Sequence, residues 1–228
     1  MADTIRTGDR QAVAVIGLGR FGVSVARSLL QLGHEVLAVD SDPALTQRLA
    51  DEFTHIAVAD STDEDALQQL GLGGFSRAVV GMGTRLEASV LTVLVLTQLG
   101  VEEIWAKAIS RKHGQILQRV GAAHVVYPET AMGEKVAHMV SGAMTDYIEF
   151  DDGFAIARTR APEEAHDKTL ADSALRAKHH VTVVGVKRAG QDFTYAVPET
   201  TVHRHDELIV SGATASVEKF CGLTSEAT

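Results

Sequence analysis

The sequence predicts an α/β chain: a doubly wound parallel sheet, then a crossover helix, then a smaller α+β domain. Three observations predict it. Short, mostly β-branched apolar runs alternate with longer helix-period segments from Ala12 to about Tyr127, the pattern of βαβ units whose strands are buried on both faces. A glycine-rich turn, Gly17-Leu-Gly-Arg-Phe-Gly22, follows the first run and opens a helix that reaches about Leu32. Beyond Tyr147 the pattern changes to short alternating strands separated by loops containing Pro162, Gly190 and Pro198.

Taken in order, the runs Ala12–Ile16, Glu35–Val39, His55–Ala59, Ala78–Val80, Ile104–Ala108 and His124–Tyr127 read as six strands joined by five crossovers. The segment Leu86–Leu99 is apolar almost all the way round, so it must be covered on more than its sheet side, either as a deep core helix or as a subunit interface. Met132, Val136, Met139, Val140, Ala143, Met144 and Tyr147 fall at helical spacing and form one stripe, which predicts a crossover helix over 130–147. Ile148–Phe150, Ala155–Thr159, Val181–Lys187 and Glu207–Ser211 read as strands of the second domain. The expected division is a nucleotide-binding domain at 11–129, the crossover helix, and a ligand-sensing domain at 148–224.

Composition narrows the function classes. With 228 residues, 45% of them hydrophobic, the chain buries a real core and is not disordered. The 21 Lys+Arg stand against 30 Asp+Glu, a formal charge of −9. Such a chain lacks the basic face that nucleic acid requires and gains nothing from an anionic bilayer, so neither nucleic acid nor direct lipid binding is expected. Cys221 is the single cysteine; it forms no intrachain disulfide and reads as a small buried apolar residue. The first eleven residues are polar and lack the apolar core of a signal peptide, and no apolar run reaches the ~18 residues that cross a bilayer. Any membrane attachment is therefore expected to run through another protein.

The glycine turn has the context that gives it meaning. Gly17 permits the tight turn, Gly19 lets the backbone approach a pyrophosphate facing the helix amino end, and Gly22 lets helix and strand pack closely. Asp40 ends the second strand 23 residues after Gly17, where its carboxylate can accept bonds from adenosine ribose hydroxyls and would repel a 2′-phosphate. NAD, ADP and ATP satisfy these features almost equally, while NADP is disfavoured. Arg20, inside the turn, is either a clamp for terminal phosphate oxygens of its own or a neighbouring subunit's ligand, or a solvated first-turn side chain.

A reaction is harder to find. A sheet domain ending near 147 leaves about 80 residues, small for a substrate domain. Tyr127, Tyr147 and Tyr195 are followed four residues later by Ala131, Asp151 and Glu199, so the Tyr and Lys pair of short-chain dehydrogenases is absent, as are nucleophile-elbow and zinc-protease motifs. His203 and His205 would share one strand face, yet no Cys or third ligand accompanies them. A small NAD-dependent oxidoreductase is the rival reading to a non-catalytic binding module.

Six stretches together carry a family resemblance: Ala14–Gly22 (AVIGLGRFG), Gly33–Asp40 (GHEVLAVD), Ala59–Leu67 (ADSTDEDAL), Ile104–Ala108 (IWAKA), Tyr127–Gly133 (YPETAMG) and Val197–Gly212 (VPETTVHRHDELIVSG). Over nearly all of residues 11–221 the chain resembles the RCK family, regulators of potassium conductance, and more closely the cytosolic regulatory subunits of Ktr/Trk-type potassium uptake systems. The resemblance implies a Rossmann-type first domain and a non-enzymatic, nucleotide-sensing role that gates a KtrB/TrkH-like multi-spanning potassium-translocating subunit. It further implies a cytoplasmic chain held peripherally at the membrane by that partner, a homodimer, and a homo-octameric ring whose shape responds to ATP or ADP, or to NAD(H); an RCK-type regulator of another cation transporter or channel is an alternative that fits the same residues.

Residue by residue, the resemblance implies that the loop Gly17, Gly19, Arg20, Phe21, Gly22 reaches the phosphates and that Asp40, Ser41 and Asp42 hold the ribose. Asp60 and Ser61 match positions beside the adenine, and Met82, Gly83 and Thr84 the loop after the fourth strand, a segment that also reads as a simple turn. Lys107, Ala108, Ile109 and His113 match positions near ribose and phosphates. Glu129 matches a carboxylate near the terminal phosphates and their cation, Mg or another divalent metal. In the second domain Leu170–Lys178 aligns with a segment that binds cyclic di-AMP, with Arg176, Ala177 and Lys178 as candidates; the alternative for Arg176 is a surface helix end. His179-His180 stands where relatives often carry an aromatic followed by Gly.

Overall fold

The structure, a computed structural model, describes residues 12–140, 144–150 and 152–223. The polar first eleven residues, Ala143 of the expected stripe and position 224 of the expected second domain lie outside them. Two compact units divide between Glu129 and Thr130.

The first unit is a six-stranded parallel sheet. Its strands are β1 (Val13–Ile16), β2 (Val36–Asp40), β3 (His55–Val58), β4 (Arg77–Val80), β5 (Glu103–Lys107) and β6 (His124–Val126), and its helices α1 (Arg20–Gln31), α2 (Pro43–Leu49), α3 (Glu64–Gln69), α4 (Leu86–Gln98) and α5 (Arg111–Arg119). The spatial order is β3-β2-β1-β4-β5-β6, so the direction of winding reverses between β1 and β4. Alternate side chains feed two cores. Ala14, Ile16, Leu37 and Val39 pack with Leu67, Val93, Leu96 and Leu117 of α3–α5, whereas Val15, Val36 and Ala38 pack with Ala26 and Leu49 of α1 and α2. Burial on both faces is why these runs are continuously apolar.

Local chemistry starts the helices where the strands need to turn back. Asp42 accepts the amides of Ala44 and Leu45 at 2.8 and 3.2 Å ahead of Pro43, capping α2. Asp63 caps α3 and Ser110 caps α5 in the same way. Register keeps the strand ends level: Ile16 pairs with Val39 on one side and Val80 on the other. Every crossover therefore leaves the sheet along one edge. The apolar helix α4 buries Val93 and Leu96 but leaves Leu86, Leu91 and Leu94 substantially exposed.

One expectation needs correction. Helix α6 spans Pro128–Val140, and Asp146–Phe150 is a strand, β7, so the crossover helix does not run to 147. Tyr147 continues the helical spacing in sequence, yet its backbone pairs antiparallel with Ala157 of β8 (Phe154–Arg160). Pairing with a strand that follows after a short turn overrides the local period.

The second unit is α+β. After β7 and β8 come β9 (Lys168–Thr169), α7 (Leu170–Ser173), α8 (Leu175–His179), β10 (Val181–Lys187), β11 (Phe193–Tyr195), β12 (Thr201–Val202), β13 (Glu207–Ala213) and α9 (Thr214–Gly222). The sheet order is β11-β10-β13-β8-β7, with β12 and β9 forming a separate pair. Val217, Phe220 and Cys221 of α9 pack on Ala155, Ala157, Leu208 and Val210. Burial pushes the Cys221 thiol up to about 11, in keeping with a buried apolar role.

The strand face expected for His203 and His205 does not exist. β12 ends at Val202, His205 takes a left-handed turn conformation (φ 72°), and His203 Nδ1 lies 3.2 Å from Asp167. Among the described residues no group of three or more His, Cys, Asp or Glu is placed to hold a metal ion.

Candidate functional site

The carboxyl edge of the parallel sheet carries the turns that follow its strands, and the site residues predicted in the first unit lie on those turns or on the strand and helix residues close to them. This is where doubly wound sheets bind ligands, at the point where winding reverses. Gly17 has φ 87°, and a Cβ on it would meet Met82 Cγ at 2.5 Å. A Cβ on Gly22 would lie 2.0 Å from the Gly17 carbonyl oxygen, so only glycine lets α1 start this close to the turn. Gly19 differs: a Cβ there would meet nothing within 4 Å. No side chain caps α1 at Gly19. The turn thus presents an open backbone and an uncapped helix amino end, the features that seat a phosphate.

Asp40 is engaged from both sides. Its Oδ2 accepts the Leu18 amide at 2.6 Å and its Oδ1 accepts the Asp42 amide at 2.9 Å. The acid therefore braces the glycine turn, and each oxygen keeps a further lone pair that could accept a hydroxyl. Asp60 accepts both the amide and the hydroxyl of Thr62, which hold its carboxyl below the usual range. Ser61 is buried, and its hydroxyl lies 2.7 Å from that of Thr92 on α4. That bond ties its side chain to the core.

At the other end of the edge three charges gather. Lys107 Nζ lies 2.5 Å from Glu129 Oε1 and 5.6 Å from the Phe21 ring centre. The lysine side chain is 13% exposed and the glutamate 67%. The Lys107 hydrogen bond above all holds the Glu129 carboxyl below its usual range, and Arg20 acts in the same direction. Gly83 sits against this group, since a Cβ on it would meet Ile109 Cγ2 at 2.9 Å and Lys107 Cε at 3.2 Å. His113 is 4% exposed. Its Nδ1 takes the Ile109 amide at 3.5 Å while Nε2 finds no partner among the described residues, and burial lowers its pKa. The ring thus supports the loop through Ala108 and Ile109 from below.

Two family domains account for most of this chain: the TrkA-N domain matches residues 13–128 and the TrkA-C domain residues 155–224. The chain is 36% identical over 212 residues to Ktr system potassium uptake protein C of Bacillus subtilis, covering 92% of this chain and 96% of that protein. It is 35% identical to Ktr system potassium uptake protein A of the same organism, covering 91% and 94%. The chain belongs to the Ktr/Trk potassium uptake family. Its fold matches the GsuK RCK domain, with a TM-score of 0.67 at 19% identity over 96% of this chain, and the GsuK channel bound to NAD, with a TM-score of 0.63 over 94%. It spans about half of the first of those chains and 40% of the second.

In the second unit of this Ktr/Trk chain, Arg176, Ala177 and Lys178 lie exposed on the short helix α8. Lys178 Nζ pairs with Glu164 Oε2 at 3.0 Å, and His179 Nε2 pairs with the other oxygen of that carboxylate. The His179 ring also packs edge-on against Phe220, centres 5.4 Å apart, and His180 takes the left-handed cap at φ 57°. His179 thus packs as an aromatic ring, and His180 stands in a backbone conformation that favours glycine.

Sequence reading missed Arg85 and Gly81. Arg85 Nη2 donates to Ser41 Oγ at 3.1 Å and lies 3.9 Å from Met82 Sδ. A Cβ on Gly81 would meet the Gly17 carbonyl at 2.9 Å. The only signal in sequence was position, both residues falling in the turn after β4. Among the described residues of this Ktr/Trk chain no helix is long and apolar enough to cross a membrane.

Proposed function

We propose that this chain is the nucleotide-sensing regulatory subunit of a potassium uptake system, and that it binds rather than converts its ligand. The observation that carries this reading is the graded edge of the first unit. An open glycine turn and an uncapped helix lie beside Asp40, and the cations Lys107 and Arg20 act on Glu129 further along. Such an edge has a place for a ribose, a place for a diphosphate and charges for terminal phosphates. The potassium uptake relatives and the NAD-bound state of the similarly folded GsuK channel support it.

In this reading the Arg20, Phe21 and Gly22 amides face the phosphates of ATP or ADP, or the pyrophosphate of NAD(H), and Asp40 with the Ser41–Asp42 turn holds the ribose. Lys107 and Arg20 take the terminal phosphate oxygens. Glu129 then holds a divalent cation such as Mg, which would neutralise phosphate charge. Ligands that differ in their last phosphate make different demands on Lys107 and Glu129, and only such a difference can shift one conformation of an assembly over another. The ordered output is the opening or closing of a multi-spanning, KtrB/TrkH-like potassium-translocating partner at the cytoplasmic membrane face. The sensing assembly is a homodimer built up to an octameric ring. A second input, cyclic di-AMP at Arg176, Ala177 and Lys178, fits a cationic helix face in the second unit.

Calorimetric titration of the purified chain with ATP, ADP, NAD and NADH tests the reading. Binding of ATP and ADP with no turnover of NADH across a substrate panel supports it; no binding by any of the four, or selective NAD turnover, overturns it. Native mass spectrometry reads the assembly, and potassium flux into vesicles holding the membrane partner reads the output.

A further inference from the structure

Arg85 is an exposed arginine that precedes α4, but its side chain does not extend into solvent alone. It runs back over Met82, and its Nη2 bonds Ser41 at the end of β2. Its charge also helps lower the Asp60 carboxyl beyond the end of β3. One guanidinium thus bridges over β1, joining the turn after β4 to the turn after β2, with its charge felt at the turn after β3. The other two cations of the edge, Arg20 and Lys107, act on Glu129. Arg85 accordingly serves a different part of the cleft.

We propose that Arg85 is a specificity-determining residue that covers one face of the nucleotide's base. The proposal rests on the nucleotide reading of the cleft. With the phosphates at the uncapped end of α1 and the ribose at Asp40, the base extends away from the glycine turn toward Ser41 and Asp60, where Arg85 is held. A guanidinium is planar, delocalised and weakly hydrated, and it stacks on aromatic faces as an ammonium does not. Tethering Nη2 through Ser41 and Met82 leaves less side-chain freedom to lose when the base arrives. A 2′-phosphate is the other ligand group an arginine at this end could take. Asp40 and Asp60 place two carboxylates against it, so the neutral ring is the better match.

The test compares wild type with Arg85→Met, Arg85→Lys and Ser41→Ala, titrating AMP, ADP, ATP, NAD, NADP and inorganic tripolyphosphate. Thermal melts of the free proteins confirm that each variant keeps its fold. Stacking predicts that Arg85→Met weakens AMP, ADP, ATP and NAD by a similar factor, about tenfold, and leaves tripolyphosphate unchanged. Arg85→Lys does not restore affinity, and Ser41→Ala moves all four the same way by less. A loss that grows with phosphate number, rescue by lysine, preferential loss of NADP, or no loss at all overturns the assignment. If wild type binds none of the nucleotides, the cleft reading fails; if it binds them and Arg85→Met binds equally well, the Arg85 assignment alone fails.

Discussion

Lys107 and Glu129 are bonded to each other at 2.5 Å, the lysine largely enclosed and the glutamate mostly open to water. In the proposed reading this pair is the part of the edge that meets terminal phosphates. The Lys107 ammonium has three N–H donors and spends one on Glu129, so it could take a phosphate oxygen as well, but the glutamate's charge would oppose that phosphate unless another cation offset it. The carboxyl is held low mainly by Lys107, and a divalent metal is the natural further cation.

Glu129→Gln therefore should tighten ATP in the absence of metal and blunt the response to Mg. It weakens the competitor for Lys107 from a charged to a neutral acceptor and removes a charge that repels phosphate. Calorimetry with and without Mg is expected to show about threefold to tenfold tighter metal-free binding and little further gain on adding Mg. Lys107→Gln should weaken ATP by about tenfold or more under either condition.

The glycine turn separates folding from binding. Gly19→Ala places a Cβ where nothing lies within 4 Å, at φ −64°, so the fold should be unchanged or slightly more stable while phosphate approach is blocked. Gly22→Ala drives a Cβ to 2.0 Å from the Gly17 oxygen and should cost about 2 kcal/mol or more. Melting temperature with nucleotide titration checks both: a normal melt without binding for the first, a clear loss of melting temperature for the second.

How much of this was legible in the sequence follows from where each determinant lies. The parallel sheet was legible because Val13–Ile16 and Val36–Asp40 are buried on both faces, and continuous apolar runs report that directly. The end of α6 was not, because Tyr147 is claimed by Ala157 across a hairpin and its helical spacing is coincidental. Ser61 read as a ligand residue; its hydroxyl is committed to Thr92, 31 positions away. Arg85 was invisible for a similar reason, its partner Ser41 being 44 positions earlier. The glycine turn linking β1 to α1 was legible because its residues are contiguous, whereas pairings between turns required the fold.

His180 holds a backbone conformation that suits glycine better than histidine. With φ 57° it sits in the left-handed region, which costs a side chain with a Cβ roughly 1–2 kcal/mol. His180→Gly should stabilise the second unit by about 0.5–1 kcal/mol after the added freedom of the unfolded chain is subtracted. The neighbour behaves oppositely: His179→Ala removes the ring from Phe220 and the partner from Glu164, and should destabilise. Urea unfolding of both variants reads the two signs.

Asp206 organises the turn that leads into β13, and its effect depends on pH. The carboxylate, 2% exposed, accepts Arg188 Nε at 2.9 Å, Arg188 Nη2 at 2.8 Å and the His203 amide at 2.8 Å. The Arg188 bonds above all hold its pKa below the ordinary value. In the unfolded chain the group titrates near 3.9, so the folded state gains from its ionised form wherever pH exceeds that value. That gain is complete at neutral pH and is lost as pH falls through the usual aspartate range toward the lower folded value. Asp206→Asn removes the charge while keeping the shape, and should cost about 2–3 kcal/mol at pH 7. Urea unfolding of wild type and variant at stepped pH should show that difference steady from pH 7 to about 5 and shrinking below 4. A difference that stays constant down to pH 3 would mean that Asp206 acts through packing alone.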